Sequence, residues 1–245
     1  MSDDQQTFAE TQIQQLRKHY NELAALAGSL AHEIKNPLSV IRMNADLLGE
    51  DVADSDSPQS RRFLDKLDIV QEQCERLENL LNDFLQFARL RGLDLRPGSL
   101  NRQVEKVLDL FEAQAEHESV RITRYFDPDL PAIRLEEKTL QAALVNLTKN
   151  AFEAMPTGGE LVARTYSTRN GVALDLIDSG CGMDQATALK MFNAFYSTKD
   201  GGSGLGLPTT RKIIEAHDAL IQVQSEMGTG TKFTLEFPRF ARITE

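Results

Sequence analysis

The chain has 245 residues, 41% of them hydrophobic, with a formal charge of -10 and 2 cysteines. A chain of that size buries a real core in one or two domains, and no apolar run approaches the ~18 residues that span a bilayer, nor does a signal peptide open it, so a cytosolic protein is expected. The 37 acidic against 27 basic residues, with no basic cluster carrying interleaved aromatics, argue against nucleic acid as a partner, while Cys74 and Cys181, far apart and near no histidine cluster, fit a reducing compartment without disulfide or structural metal.

Leu16, Tyr20, Leu23, Ala27, Leu30 and Ile34 alternate in steps of four and three, which predicts a bundle helix over about 12–48. With these residues at a and d, His32 falls at f and faces water; Gly28 and Ser29, beneath it on the same face, are too small to shield it. "GEDVADSDSPQS" reads as a hairpin turn. A second helix follows over about 60–91, with Phe63, Leu67, Val70, Cys74, Leu77, Leu81, Phe84 and Ala88 in strict four-three alternation. A lone hairpin leaves half of each stripe exposed, so a homodimeric four-helix bundle is expected.

"RGLDLRPGSL" breaks the second helix, with 93–98 as a linker. Beyond it a helix is expected over 101–115, a strand at "VRITRYF", and an amphipathic helix at "EEKTLQAALVNLTKNAFEAM". "ELVARTYS" and "GVALDLIDSG" alternate as a strand pair across Arg169, Asn170 and Gly171. "LPTTRKIIEAH" is a helix, and "LIQVQSE" and "GTKFTLEFP" form a second hairpin at Met227 to Gly230. Strands with segregated helices make an α+β sandwich.

In this second part glycines cluster where strands end: "DSGCGM", "GGSGLGLP" and "GTGT". Each alone is either an ordinary turn or a place where backbone N–H groups approach a phosphate. "GGSGLG" lacks the P-loop spacing and closes no dinucleotide-binding βαβ unit. Asn146 and Asn150 share one helix face, and either sit as two amides on a wet surface or meet a hydrated Mg²⁺ bridging phosphates.

Taken in order, six segments resemble the boxes of two-component sensor histidine kinases: "HEIKNPL" the H box, "NLTKNAFEAM" the N box, "DSGCGM" the G1 box, "FNAFYSTK" the F box, "GGSGLGL" the G2 box and "GTGTKF" the G3 turn. The resemblance runs from about Gln12 to Phe237. It implies a signal helix (1–25), a dimerisation and histidine-phosphotransfer hairpin (26–92), the linker, an ATP-binding domain of the Bergerat or GHKL fold (99–239) and a short tail (240–245). It further implies autophosphorylation of His32 by ATP with Mg²⁺, then transfer to an aspartate on a response regulator receiver domain. Glu33 would fix the imidazole tautomer. Asn36, which falls where the family's E-x-x-[TN] motif has its polar residue, would orient water for receiver dephosphorylation.

Carried over to the ATP site, Asn150 matches the Mg²⁺ ligand, with Asn146 near phosphate and Lys149 adding charge there. Asp178 matches the carboxylate that bonds the adenine amine, Gly180 and Gly182 leave room for the ring, and Thr231 supports the adenine side. Gly202, Gly204 and Gly206 would bring N–H groups to the phosphates and Lys199 would reach the γ-phosphate. Phe192 and Phe195 read equally as lid anchors or core. The F box has Ala194 where the family usually carries Pro, Asp218 and Ala219 stand where Gly commonly follows the last helix, and the lid "STKDGGSGLGL" is short, as in nitrogen-regulatory kinases. A GHKL ATPase driving conformational change, or an ATP-binding adaptor, remain the readings from other classes. The sensor is expected on a partner protein or a domain outside this sequence.

Overall fold

The computed structural model describes residues 34–49, 58–89, 93–199 and 202–239. The expectations for His32, Glu33, the coil at 1–25, most of the hairpin turn and the tail at 240–245 lie outside the described residues. The chain divides into two compact units, residues 1–89 and 90–245.

In the first unit α1 (34–49) and α2 (Pro58–Arg89) run antiparallel. Their pairing is marked by Lys35 Nζ donating to Asn82 Oδ1 (3.1 Å), Arg42 Nη1 to Glu78 Oε2 (3.3 Å) and Gln71 Nε2 to Asp46 Oδ1 (2.6 Å). The heptad pattern splits by burial. Leu67, Cys74 and Ala88 of α2 and Leu38 and Ala45 of α1 are buried between the helices. Phe63, Val70 and Leu77 stay 39%, 40% and 49% exposed, and Ile34, Ile41 and Leu48 stay 40%, 48% and 46% exposed. One half of each stripe therefore closes the hairpin and the other half faces outward. Steps of four from Leu30 to Ile34 and again to Leu38 insert a stutter at Pro37 before the alternation resumes.

The second unit has a five-stranded sheet in the order β2-β4-β5-β7-β6, formed by β2 (Val120–Tyr125), β4 (Gly159–Ser167), β5 (Gly171–Asp178), β6 (Leu220–Glu226) and β7 (Gly230–Pro238). β2 and β4 are parallel and the other pairs antiparallel. One face carries α3 (Leu100–Leu110), α5 (Glu137–Glu153) and α7 (Gly206–Ala216), with α5 touching both of the others. The reason is the sequence period. Leu140, Ala143, Leu144, Leu147, Thr148, Ala151 and Phe152 make one buried stripe on α5. Val172, Leu174 and Leu176 alternate toward it from β5 and join the same core. Glu136 caps α5, its carboxylate accepting from Thr139 N at 2.8 Å. At the far end of α7, His217 Nε2 accepts from Glu136 N (3.1 Å), which places the proton on Nδ1, facing Ile213 O at 2.7 Å. Asp218 takes the left-handed φ of 56° expected where Gly is commonly found.

Two expectations need correction, and two short elements were not anticipated. The linker at 93–98 is in part a strand: β1 (Arg96–Gly98) pairs antiparallel with β3 (Ile133–Leu135), which was itself unanticipated. Pro97 is tolerated because this ribbon has only two strands, both of them edges. The helix expected over 101–115 breaks at Phe111 into α3 and α4 (Glu112–His117), where the Phe111 ring turns in against Phe152 at 5.2 Å. A short helix, α6 (Gln185–Lys190), capped by Asp184 through Thr187 N at 2.7 Å, precedes the lid.

On the sheet face away from the helices, Asp175 is only 3% exposed. Its Oδ1 accepts from Thr234 Oγ1 (2.7 Å) and Tyr166 Oη (3.3 Å), and its Oδ2 pairs with Lys232 Nζ at 3.0 Å. Burial first, then the Asp175 charge, pushes the Tyr166 phenol above its ordinary pKa. Replacing Asp175 by Ala leaves two hydroxyls and an ammonium without this acceptor. Urea denaturation should show a loss of about 2 kcal/mol, and Asp175→Asn a smaller one.

Candidate nucleotide-binding site

One end of the sheet gathers the chemistry. The inward-facing residues at the ends of three neighbouring strands, Asp178, Thr231 and Ser225, form a single row, Asp178 paired with Thr231 and Thr231 with Ser225. Asp178 is 6% exposed. Its Oδ1 accepts from Gly180 N (3.0 Å) and Thr231 N (3.2 Å), while Oδ2 has no donor from another described residue. Burial raises its pKa above the ordinary aspartate value, the backbone N–H groups of Gly180, Thr231 and Asp178 itself pulling the other way. The row ends in a hydroxyl chain: Ser225 Oγ lies 2.9 Å from Thr231 Oγ1, donates to Gly230 O (3.1 Å) and accepts from Met183 N (2.8 Å).

The loop after β5 is folded onto α5 and the β6–β7 turn. Cys181 N donates to Ala154 O (3.0 Å), and Gly228 N to Cys181 O (2.8 Å). Gly182 has φ +64°, and a Cβ there would meet Glu226 O at 2.0 Å, so only glycine closes this turn. Gly180 lies against Ala154, whose carbonyl oxygen a Cβ would approach to 2.6 Å. Its smallness therefore serves packing on α5 before it serves any ring.

Asn146, Asn150 and Glu153 follow one another on the flank of α5 beside its buried stripe. Asn146 Nδ2 donates to Thr210 Oγ1 of α7 (2.8 Å), and its amide packs on Gly206, the first residue of α7. Asn150 Oδ1 accepts from Lys199 Nζ at 2.6 Å, and the same ammonium pairs with Glu153. Lys149 is exposed, its Nζ 3.9 Å from Glu153 Oε1. In the lid, Gly202 N donates to Lys199 O (3.2 Å), and Gly204, at φ +64°, accepts from Phe195 N (2.9 Å). A Cβ at Gly204 would strike Phe195 at 2.5 Å. The two lid phenylalanines differ. Phe192 packs against the core beneath the Arg211 guanidinium, whereas Phe195 is 69% exposed and held at φ 66°, an uncommon conformation for a bulky residue.

The donor set fits a magnesium nucleotide. Asn150 Oδ1 already accepts a cation, the Lys199 ammonium, and Asp178 Oδ2 is a spare acceptor in a buried setting. The structure brings Asp178 and Thr231 together as a row, joins Asn150 to Lys199, and turns Asn146 toward α7. Asn36 lies in the other unit, exposed on α1. Two participants were missed by the sequence reading. Ser225 was legible as a polar residue at an inward position after Ile221 and Val223, and Glu153 as a carboxylate one turn beyond Asn150.

Comparison with known proteins relates the chain to a family. Residues 22–93 match the His Kinase A (phospho-acceptor) domain and residues 135–241 the histidine kinase-, DNA gyrase B- and HSP90-like ATPase family. The sensory histidine kinase/phosphatase NtrB of Escherichia coli O157:H7 is 31% identical over 96% of this chain and 67% of its own length. Sporulation kinase E of Bacillus subtilis is 30% identical over 87% of this chain. The chain spans 28% of that relative and at most 50% of several others. Full-length ShkA, crystallised with AMPPNP, is similar in structure with a TM-score of 0.70 and 26% identity, over 86% of this chain and 45% of that one.

The raised pKa of Asp178 carries a stability consequence. A carboxyl whose folded pKa lies above its unfolded value contributes stability below the unfolded pKa and loses it as pH rises through the folded one. At neutral pH the charged Asp178 is therefore a liability to the free protein. Asp178→Asn keeps an acceptor for both backbone N–H groups and removes the charge. Thermal denaturation should show the variant more stable by up to about 3 °C at neutral pH, with the difference vanishing as pH falls through the raised carboxyl pKa.

Proposed function

The chain belongs to the sensor histidine kinases, and from that premise we propose that it binds ATP with Mg²⁺, phosphorylates its own His32 and hands the phosphoryl group to an aspartate of a response regulator receiver domain. The observation that carries the ATP reading is Asp178, buried with Oδ1 engaged by backbone and Oδ2 spare, at a mouth ringed by glycine turns. Oδ2 accepts the exocyclic amine of adenine, a hydrogen bond that guanine, with a carbonyl at that position, cannot make. Thr231 and Ser225 hold the adenine side through their linked hydroxyls. Asn150 would hold Mg²⁺ through Oδ1, and the metal's part is to neutralise charge across the phosphates. Asn146 steadies α7 at the phosphate end, and Lys149, Lys199, Gly202, Gly204 and Gly206 set positive charge and N–H groups around the phosphates.

The reacting residues belong to the hairpin. A ring nitrogen of His32 attacks the γ-phosphorus, the bond from that phosphorus to the bridging oxygen breaks, and ADP leaves with the electron pair. Glu33 accepts a hydrogen bond from the second ring nitrogen, keeping the attacking one unprotonated and stabilising the charge that develops. The phosphoramidate then gives its phosphoryl group to the receiver carboxylate. Val40, Met43 and Leu47, each more than half exposed along α1 beyond Asn36, offer the receiver an apolar strip. The separate outward stripe of Ile34, Ile41 and Leu48 with Phe63, Val70 and Leu77 suits a second copy, so the active form is a homodimer. The stimulus reaches the hairpin through the N-terminal coil from a sensor protein or sensor domain, and the kinase acts in the cytoplasm. The kinase/phosphatase pairing in the name of NtrB supports the water-orienting role of Asn36.

Incubation with γ-labelled ATP and Mg²⁺ tests the reading. Wild type should acquire alkali-stable, acid-labile label that His32→Gln and Asn150→Ala both lose. Nucleotide binding without label in wild type would favour the adaptor instead. Asn36→Ala should keep autophosphorylation and lose about tenfold or more of receiver dephosphorylation, measured by release of phosphate from pre-phosphorylated receiver.

A further inference from the structure

The contact between the lid and α5 points to a role for Glu153. Lys199 Nζ bonds two acceptors at once, Asn150 Oδ1 at 2.6 Å and the Glu153 carboxylate. The first is the oxygen assigned above to Mg²⁺, so in this conformation the ammonium occupies a cation's place. The second stands one turn on, at the last residue of α5, and has Lys149 Nζ at 3.9 Å as its other neighbour. Lys199 is the lid's cation toward the phosphates. It therefore has two competing carriers of negative charge, a fixed carboxylate and an incoming γ-phosphate.

We propose that Glu153 is a positioning residue of the nucleotide site. Its carboxylate holds the lid lysine on Asn150 when the site is free and competes with the γ-phosphate for it when a nucleotide binds. The proposal rests on the ATP reading given above. A diphosphate, lacking the γ-phosphate, displaces Lys199 from Asn150 but offers it nothing beyond what Glu153 already supplies, so the lysine stays on the carboxylate. A triphosphate draws it away from the carboxylate. Lys199 and Glu153 are 45% and 38% exposed at their side chains, so the pair is solvent-screened and the competition is mild, worth about two- to fivefold in affinity.

Two measurements test this. In the nucleotide-free protein, the rate at which acetic anhydride modifies Lys199, followed peptide by peptide in a mass spectrometer, should rise about two- to fivefold in Glu153→Gln and again in Glu153→Ala. An unchanged rate in both would mean that Glu153 does not hold the lysine. Calorimetric titration with Mg²⁺ and AMPPNP or ADP gives the second arm. Glu153→Gln should tighten AMPPNP by about two- to fivefold and leave ADP unchanged, and the gain should disappear in a Lys199→Ala background. Equal tightening of both nucleotides, which simple removal of a negative charge would cause, overturns the competition. If wild type binds neither nucleotide, the ATP reading falls and the competition with it, while the labelling still reports whether Lys199 is held.

Discussion

Asp178 Oδ1 accepts the N–H groups of Gly180 and Thr231, and through those two bonds one atom ties the loop after β5 to the start of β7. From Thr231 the linkage continues through Ser225 to the N–H of Met183, so the loop is fastened at both of its ends. Without an acceptor there, the two glycine-rich segments it joins, the loop after β5 and the turn leading into β7, would lose this link. The cost is a charge kept in a buried place, and the raised pKa of Asp178 is the sign of that cost. A site that uses an uncomfortable charge for recognition is a common compromise between stability and function.

The hairpin shows a second constraint. A heptad stripe serves one partner per face, and here the same alternation has to satisfy two. Leu38, Ala45, Leu67, Cys74 and Ala88 close the hairpin, while Ile34, Ile41, Leu48, Phe63, Val70 and Leu77 remain outward. The choice between them is set by which half of each heptad faces the antiparallel neighbour, and the polar bonds Lys35 to Asn82, Arg42 to Glu78 and Gln71 to Asp46 fix that facing along the length described. Small residues on the inner half, Ala45, Cys74 and Ala88, let the helices approach around Leu38 and Leu67.

Long periodic segments were readable in advance because period alone specifies them. The stripe of α5 and the alternation of β5 to β7 needed no tertiary knowledge, and the β6 and β7 boundaries fall where turn residues put them. What escaped was short. β1 and β3 are strands of 3 residues whose existence depends on finding each other across 34 intervening residues, so no local pattern announces them. α6 rests on one capping bond at Asp184. The break at Phe111 is decided by Phe152, distant in sequence and close in space. At the candidate site, motif position named the residues but not how they bond to one another. Asn146 turned out to hold α7, and Gly180 to pack on Ala154.

The lid follows from the same physics. A cationic side chain beside polar groups of the protein either stays in water or takes one of them as acceptor. Lys199 takes the second course, and both of its acceptors, Asn150 and Glu153, belong to α5. Backbone bonds hold the residues on either side of it, Phe195 N donating to Gly204 O and Gly202 N to Lys199 O. Phe195 in a left-handed backbone and exposed to solvent is the strained counterpart of that restriction. Lys199 is thus held on α5 by its bonds to Asn150 and Glu153, in a segment that carries one left-handed residue at Phe195. A ligand that offers the lysine a better acceptor competes with both bonds at once.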